Sequence, residues 1–136
     1  MTYDEVIGAV GLASMVIRPS DTSVVQAHND LATLDPTSIT NLIEGACTAA
    51  LAEHFAPGET SVTQELVIKV LGTVGVGAEI RAHATCMHLE NSILDFTIEV
   101  HHGSRLIASA SLTRKVVDRI SYMARIAAES VMSEAG

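Results

Sequence analysis

Asp35-Pro36-Thr37-Ser38-Ile39-Thr40-Asn41-Leu42-Ile43-Glu44-Gly45-Ala46-Cys47-Thr48-Ala49-Ala50-Leu51 is the stretch on which the fold turns. Ile39, Leu42, Ile43, Ala46, Cys47, Ala50 and Leu51 recur at helical spacing. Asp35 can cap a helix, Pro36 suits its first position, and Thr37 and Ser38 fit its first turn. Pro57-Gly58 stops it, so the reading is one helix from about Pro36 to Phe55. Between Pro36 and Ala52 the only charge is Glu44. A helix face in water normally carries several charges, so this helix is expected to be covered on most sides. Its small residues, Gly45 and Ala49 among them, let neighbours approach closely.

Working outward, the pattern changes to period two after Gly58. Val62, Gln64, Leu66, Ile68 and Val70 alternate with Thr63, Glu65, Val67, Lys69 and Leu71. Gly72 to Gly77 is a glycine-rich break, read as a turn. Ile80 to Leu89 is a second run, Ile93 to His102 a third and Arg105 to Val116 a fourth, with turns at Glu90-Asn91-Ser92 and Gly103-Ser104. These four strands are expected to pair in consecutive antiparallel order. Before the helix, Ala9 to Ile17 reads as a first strand that ends at Arg18-Pro19-Ser20-Asp21. Residues 22–34 are ambiguous between a short strand and a loop. Val117 to Ser133 reads as an amphipathic terminal helix, with Ile120, Ala124, Ala127 and Val131 on one side.

The 136 residues favour a single domain, residues 1–136, and an apolar share of 48% is enough for one core. A formal net charge of −8 argues against nucleic acid and against an anionic membrane surface. The one local basic cluster is Arg114-Lys115 with Arg119. It is either a solvated strand end or an anchor for a phosphate-bearing ligand such as coenzyme A. Cys47 and Cys86 form no C-x-x-C motif and lie in apolar stretches, so both read as core residues of a reduced, cytoplasmic protein. The first residues lack the pattern of a signal peptide, and no run approaches the roughly 20 apolar residues of a membrane span.

The class is therefore α+β: a long central helix wrapped by an antiparallel sheet, which is the hotdog fold. Lone domains of this kind leave a strand edge uncovered, so a homodimer is expected, with a tetramer as a larger alternative.

Leu42-Ile43-Glu44-Gly45-Ala46-Cys47, then Ala56-Pro57-Gly58-Glu59-Thr60-Ser61-Val62, then Gly75-Val76-Gly77, resemble the fluoroacetyl-CoA thioesterase-like branch of the hotdog superfamily. Arg114 matches the arginine that ends that branch's last-strand motif, and the resemblance covers roughly residues 15–122. It implies a homodimeric acyl-CoA thioesterase with its site at the dimer interface and no cofactor. It also implies a catalytic set of helix Glu, a Thr near the helix start and a strand His. Glu44 matches the Glu. The Thr falls near Pro36, so Thr37 or Thr33 would serve. The His falls at Val70, a glycine of the motif at Thr63, and a last-strand His at Leu112. Fluoroacetyl specificity is not implied, because Thr22 to Leu34 holds no aromatic residue to build a lid.

Glu44 is the leading candidate for chemistry. Buried, it would have a raised pKa, and it could activate water or attack a thioester carbonyl. Its structural alternative is a solvated position on a polar seam between Thr40 and Thr48. Free backbone N–H groups at the helix start, near Thr37, would polarise the carbonyl. His28, in the irregular segment, could replace the missing strand His. Gly75 and Gly77 form either a plain turn or a place where backbone approaches a pantetheine arm. The histidines do not have metal-site spacing. Two readings stand: a thioesterase acting on acyl-CoA or a carrier-protein thioester, and a non-catalytic module holding an acyl or small apolar ligand in the same groove.

Overall fold

The computed structural model describes residues 1–135. A short helix α1 (Tyr3–Val6) leads into β1 (Val10–Val16) and a single helical turn at Pro19–Asp21. Then come α2 (Pro36–Leu51), β2 (Glu59–Val70), β3 (Glu79–Glu90), β4 (Ile93–His102), β5 (Arg105–Asp118) and α3 (Arg119–Ala135). No helix among the described residues is long and apolar enough to cross a membrane.

Asp35 caps α2, accepting the Thr37 backbone N–H at 3.0 Å. The helix ends at Leu51 rather than Phe55; Ala52 to His54 form a turn that leads to Pro57. Ile39, Leu42, Ile43, Ala46, Cys47, Ala50 and Leu51 are all buried. They meet Ala82, Ala84 and Cys86 of β3 and Phe96, Ile98 and Val100 of β4 in one core. Each of the large aliphatic side chains contributes roughly 1.5–3 kcal/mol through burial. Gly11 lets β1 come against the helix: a Cβ there would lie 1.8 Å from the Ala46 carbonyl oxygen.

The helix is not covered on most sides. Thr37, Asn41, Gly45, Thr48 and Ala49 form an exposed, uncharged stripe along it. Short polar and small side chains keep that face free of charge without the chain itself burying it.

The sheet order is β1-β3-β4-β5-β2. Only β3, β4 and β5 form a meander; β2 crosses to pair with β5, so the four strands are not in consecutive order. Gly72 to Gly77 is accordingly a crossing connection that ends in a tight turn, where the Ala78 N–H donates to the Gly75 carbonyl at 3.3 Å. Leu71 and Gly72 donate to the Ile107 carbonyl, Arg105 donates to the Thr73 carbonyl at 2.7 Å, and Leu34 donates to the Val74 carbonyl. Residues 22–34 hold no strand of their own; isolated bridges join Thr22 to Leu34 and Thr33 to Gly75.

β1 and β2 are the two edges of the sheet. The twelve-residue β2 is a free edge. The helix α2 packs on β1 and β3 and barely reaches β4, so the β5–β2 part of the inner face lies beyond it. There Leu66 and Ile68 are half-buried and Val70 is exposed. The side of α2 that bears Glu44 adjoins this row through Thr63 and Arg114, and the line between them is termed the trough. The terminal helix α3 packs on β5, and its expected apolar side is exposed, Ile120 at 80%.

Candidate active site

Glu44 and Arg114 meet at the end of the trough. Arg114 is buried on β5 and uses its whole fork. Nε donates to Ser61 Oγ at 2.8 Å and Nη2 to the Ser61 carbonyl at 3.0 Å. Nη1 donates to Thr63 Oγ1 at 3.0 Å and to Glu44 Oε1 at 3.2 Å. Thr63 Oγ1 in turn lies 2.8 Å from both Glu44 oxygens. A bulge at Gln64 shifts the register of β2 against β5. It lets Ser61 and Thr63 face the helix while Leu66 and Ile68 continue the same inner row.

Glu44 is therefore not a lone buried carboxylate. Its side chain is 36% exposed and ion-paired, against 10% for Arg114. Nor is Arg114 a solvated strand end, since its donors are committed to Ser61, Thr63 and Glu44.

A second cluster sits at the start of α2. Asp35 is 1% exposed. Its Oδ1 accepts from Ser23 Oγ at 2.7 Å and lies 2.8 Å from His28 Nδ1, while Oδ2 accepts from Thr37 Oγ1 at 2.5 Å. The Thr37 hydroxyl also meets the Gln26 side chain. Burial, the largest single influence, pushes the Asp35 pKa up. The bonds from Thr37, Ser23 and His28 together outweigh it and hold the carboxyl well below the usual carboxylate range. The structure thus brings Thr37 and His28 onto one buried carboxylate, with the half-exposed His28 ring oriented through Nδ1.

That arrangement overturns the expected use of the helix start. The Thr37 N–H is spent on the Asp35 side chain and the Ser38 N–H on the Asp35 carbonyl. Asp35 as orienter of His28 was not foreseen; its position marked it only as a cap.

Thr37 and Glu44 share the exposed side of α2 two turns apart, roughly 10 Å along the axis. One thioester carbonyl cannot touch both. Thr33 is bridged to Gly75, which sets the glycine loop beside the second cluster. A Cβ on Gly75 or Gly77 would meet nothing within 4 Å, and Gly77 needs its glycine for a φ of 93°. Val70 is an exposed valine on β2 and Leu112 is core. Cys47 is core as expected: burial foremost, then the Glu44 charge, pushes its thiol up to about 12, so it is no nucleophile at neutral pH. A groove of about 580 Å³ on the opposite sheet face is lined by Val67, Lys69, His83, Thr97 and Glu99, among others. It lies across the sheet from Glu44, where His83 of β3 stands opposite Glu99 of β4.

A family model described as fluoroacetyl-CoA-specific thioesterase matches residues 17–120. A variant of the fluoroacetyl-CoA thioesterase FlK, solved with acetyl-CoA, is 19% identical over 90% of this chain and 97% of its own, with a TM-score of 0.80. A thioesterase superfamily member from Thermus thermophilus is 14% identical over 96% of both chains, with a TM-score of 0.88. A hot-dog-like protein from Thermanaerovibrio acidaminovorans is 16% identical over 95% of this chain and 97% of its own, with a TM-score of 0.86. No curated protein sequence matches. At these identities the structural likeness shows the fold, which is hotdog.

Proposed function

The chain belongs to the fluoroacetyl-CoA-specific thioesterase family, and from that premise we propose that it hydrolyses an acyl-CoA or carrier-protein thioester at a site completed by a second copy of itself. The observation that carries this reading is the Glu44 carboxylate, held at the trough by Arg114 and Thr63. Glu44 accepts the proton of the hydroxyl group that adds to the thioester carbonyl. The C–S bond then breaks, the thiolate leaves and the proton goes to it. Arg114 serves as Glu44's clamp, because its committed fork leaves little for coenzyme phosphates. Thr37, too far along α2 for the same carbonyl, and His28, joined to it through Asp35, line the path of the pantetheine arm beside Gly75 and Gly77. Fluoroacetyl specificity is not part of the proposal.

Two features support the second copy. The β2 edge exposes a row of unpaired backbone groups, which proteins ordinarily cover. The trough also lies between α2 and the free β2 edge, on the border a second copy would cover. Native mass measurement is expected to give two copies, and a strict monomer would remove the interface site.

The test is a panel of acyl-CoA substrates with thiol detection, on wild type and Glu44→Ala. Thiol release well above the alanine variant on at least one substrate is expected. The exposed Val70 in place of a strand histidine favours the other reading, a module that binds an acyl ligand without cleaving it. That reading holds if wild type and Glu44→Ala release thiol equally slowly on every substrate.

A further inference from the structure

Thr63 stands where the resembling motif has glycine, and the fold gives its hydroxyl a particular setting. Its Oγ1 is 2.8 Å from each Glu44 oxygen, so its proton points into a carboxylate. The same oxygen accepts Arg114 Nη1 at 3.0 Å. The base is in turn oriented by that guanidinium, which Ser61 anchors from behind. A hydroxyl with a base on its proton and, on its lone pair, a cation that also fixes the base is an arrangement that activates an alcohol. The cation favours the developing alkoxide. Thr63 is also exposed beside the trough, so a carbonyl carbon can reach it. Neither other candidate nucleophile matches it: Cys47 is fully buried, and the Thr37 hydroxyl faces a buried carboxylate already engaged by Ser23 and His28.

We propose that Thr63 is the nucleophile of the thioesterase reaction, with Glu44 as its base. The inference rests on the reading of Glu44 as the reacting centre. Thr63 Oγ1 adds to the thioester carbonyl carbon as its proton passes to Glu44. The C–S bond breaks, the thiolate takes that proton, and an acyl ester remains on Thr63. Water then adds to the ester carbonyl and gives a proton to Glu44. The ester C–O bond breaks, Thr63 recovers the proton, and the carboxylic acid leaves. The net change is thioester plus water to acid plus thiol.

The experiment is rapid acid quench of the full chain during turnover of acetyl-CoA, with intact mass and peptide mapping. An acetyl group on Thr63 is expected, absent in Thr63→Ala. Thr63→Ser should keep turnover within about tenfold, while Thr63→Ala loses ~100-fold or more with the protein still folded at the assay temperature. p-Nitrophenyl acetate, which needs no coenzyme recognition, separates the two levels of the claim. Acetylation of Thr63 by this ester without acetyl-CoA turnover leaves the nucleophile standing and sinks the thioesterase reading on this substrate. Turnover with the acetyl group on Glu44, with none on Thr63, or at wild-type rate in Thr63→Ala overturns the nucleophile and leaves the reading intact. No turnover and no labelling by either reagent overturns both.

Discussion

Arg114 Nη1 lies 3.2 Å from Glu44 Oε1, joining β5 to α2 across 70 residues of chain. Thr63 of β2 reaches the same carboxylate and closes the pair into a triangle. Its members are unequally placed. Arg114 is nearly sealed in, whereas Glu44 is about a third open to solvent. A group sealed in for structure and a group left open for chemistry should answer differently to substitution.

Arg114→Met should destabilise the protein by about 2–3 kcal/mol, below the full cost of breaking a buried pair because Glu44 can turn to water. Glu44→Gln should cost only about 1 kcal/mol, since Arg114 keeps both Ser61 contacts. Urea unfolding of the two variants checks this. A larger loss for Glu44→Gln than for Arg114→Met would reverse the assignment of roles.

Gly11→Ala tests how closely β1 and α2 are fitted. The added methyl would lie 1.8 Å from the Ala46 oxygen and 2.5 Å from the Ala50 nitrogen, both backbone atoms that cannot swing aside. The helix must shift off the strand, at a cost of about 3 kcal/mol or more. Denaturant midpoints report it, and a change under about 0.5 kcal/mol, the range of neutral surface substitutions, would show that the two elements are not in contact.

Asp35 makes stability depend on acid. Its carboxyl is held below its ordinary value in the folded chain, so the unfolded chain binds the proton first as pH falls. The contribution is full above an unfolded pKa of about 3.9 and fades as pH drops towards the folded value. Asp35→Asn should flatten the stability profile below pH ~5 while also weakening the α2 cap at neutral pH. Parallel acid profiles for the two proteins would contradict the account.

Much of this was legible in the chain. Apolar spacing and the Asp35-Pro36 start placed α2, and period two placed the strands, because both signals are local. Glu44 stood out as the one charge on α2. What escaped was set by distance. Nothing near Gly72 says that β2 should cross to β5, since a crossing loop and a tight turn use the same glycines. Nothing near Arg114 says that its partner is Glu44. The α2 stripe misled for another reason. Thr37, Asn41, Gly45 and Thr48 carry no charge, and an uncharged face reads as covered whether its own chain covers it or not. Asp35 showed only its capping role, because what it does for His28 depends on how residues 22–34 fold back.

The central claim is that Glu44 is where the thioester reacts. The most direct test is kcat/KM on an accepted acyl-CoA for Glu44→Gln, which keeps the shape of the side chain and removes its basicity. A fall of about 100-fold or more, carried by kcat, with the melting temperature within a few degrees of wild type, is the predicted result. Turnover within about threefold of wild type, a difference of less than 1 kcal/mol in the barrier, would contradict it and move the chemistry away from this cluster.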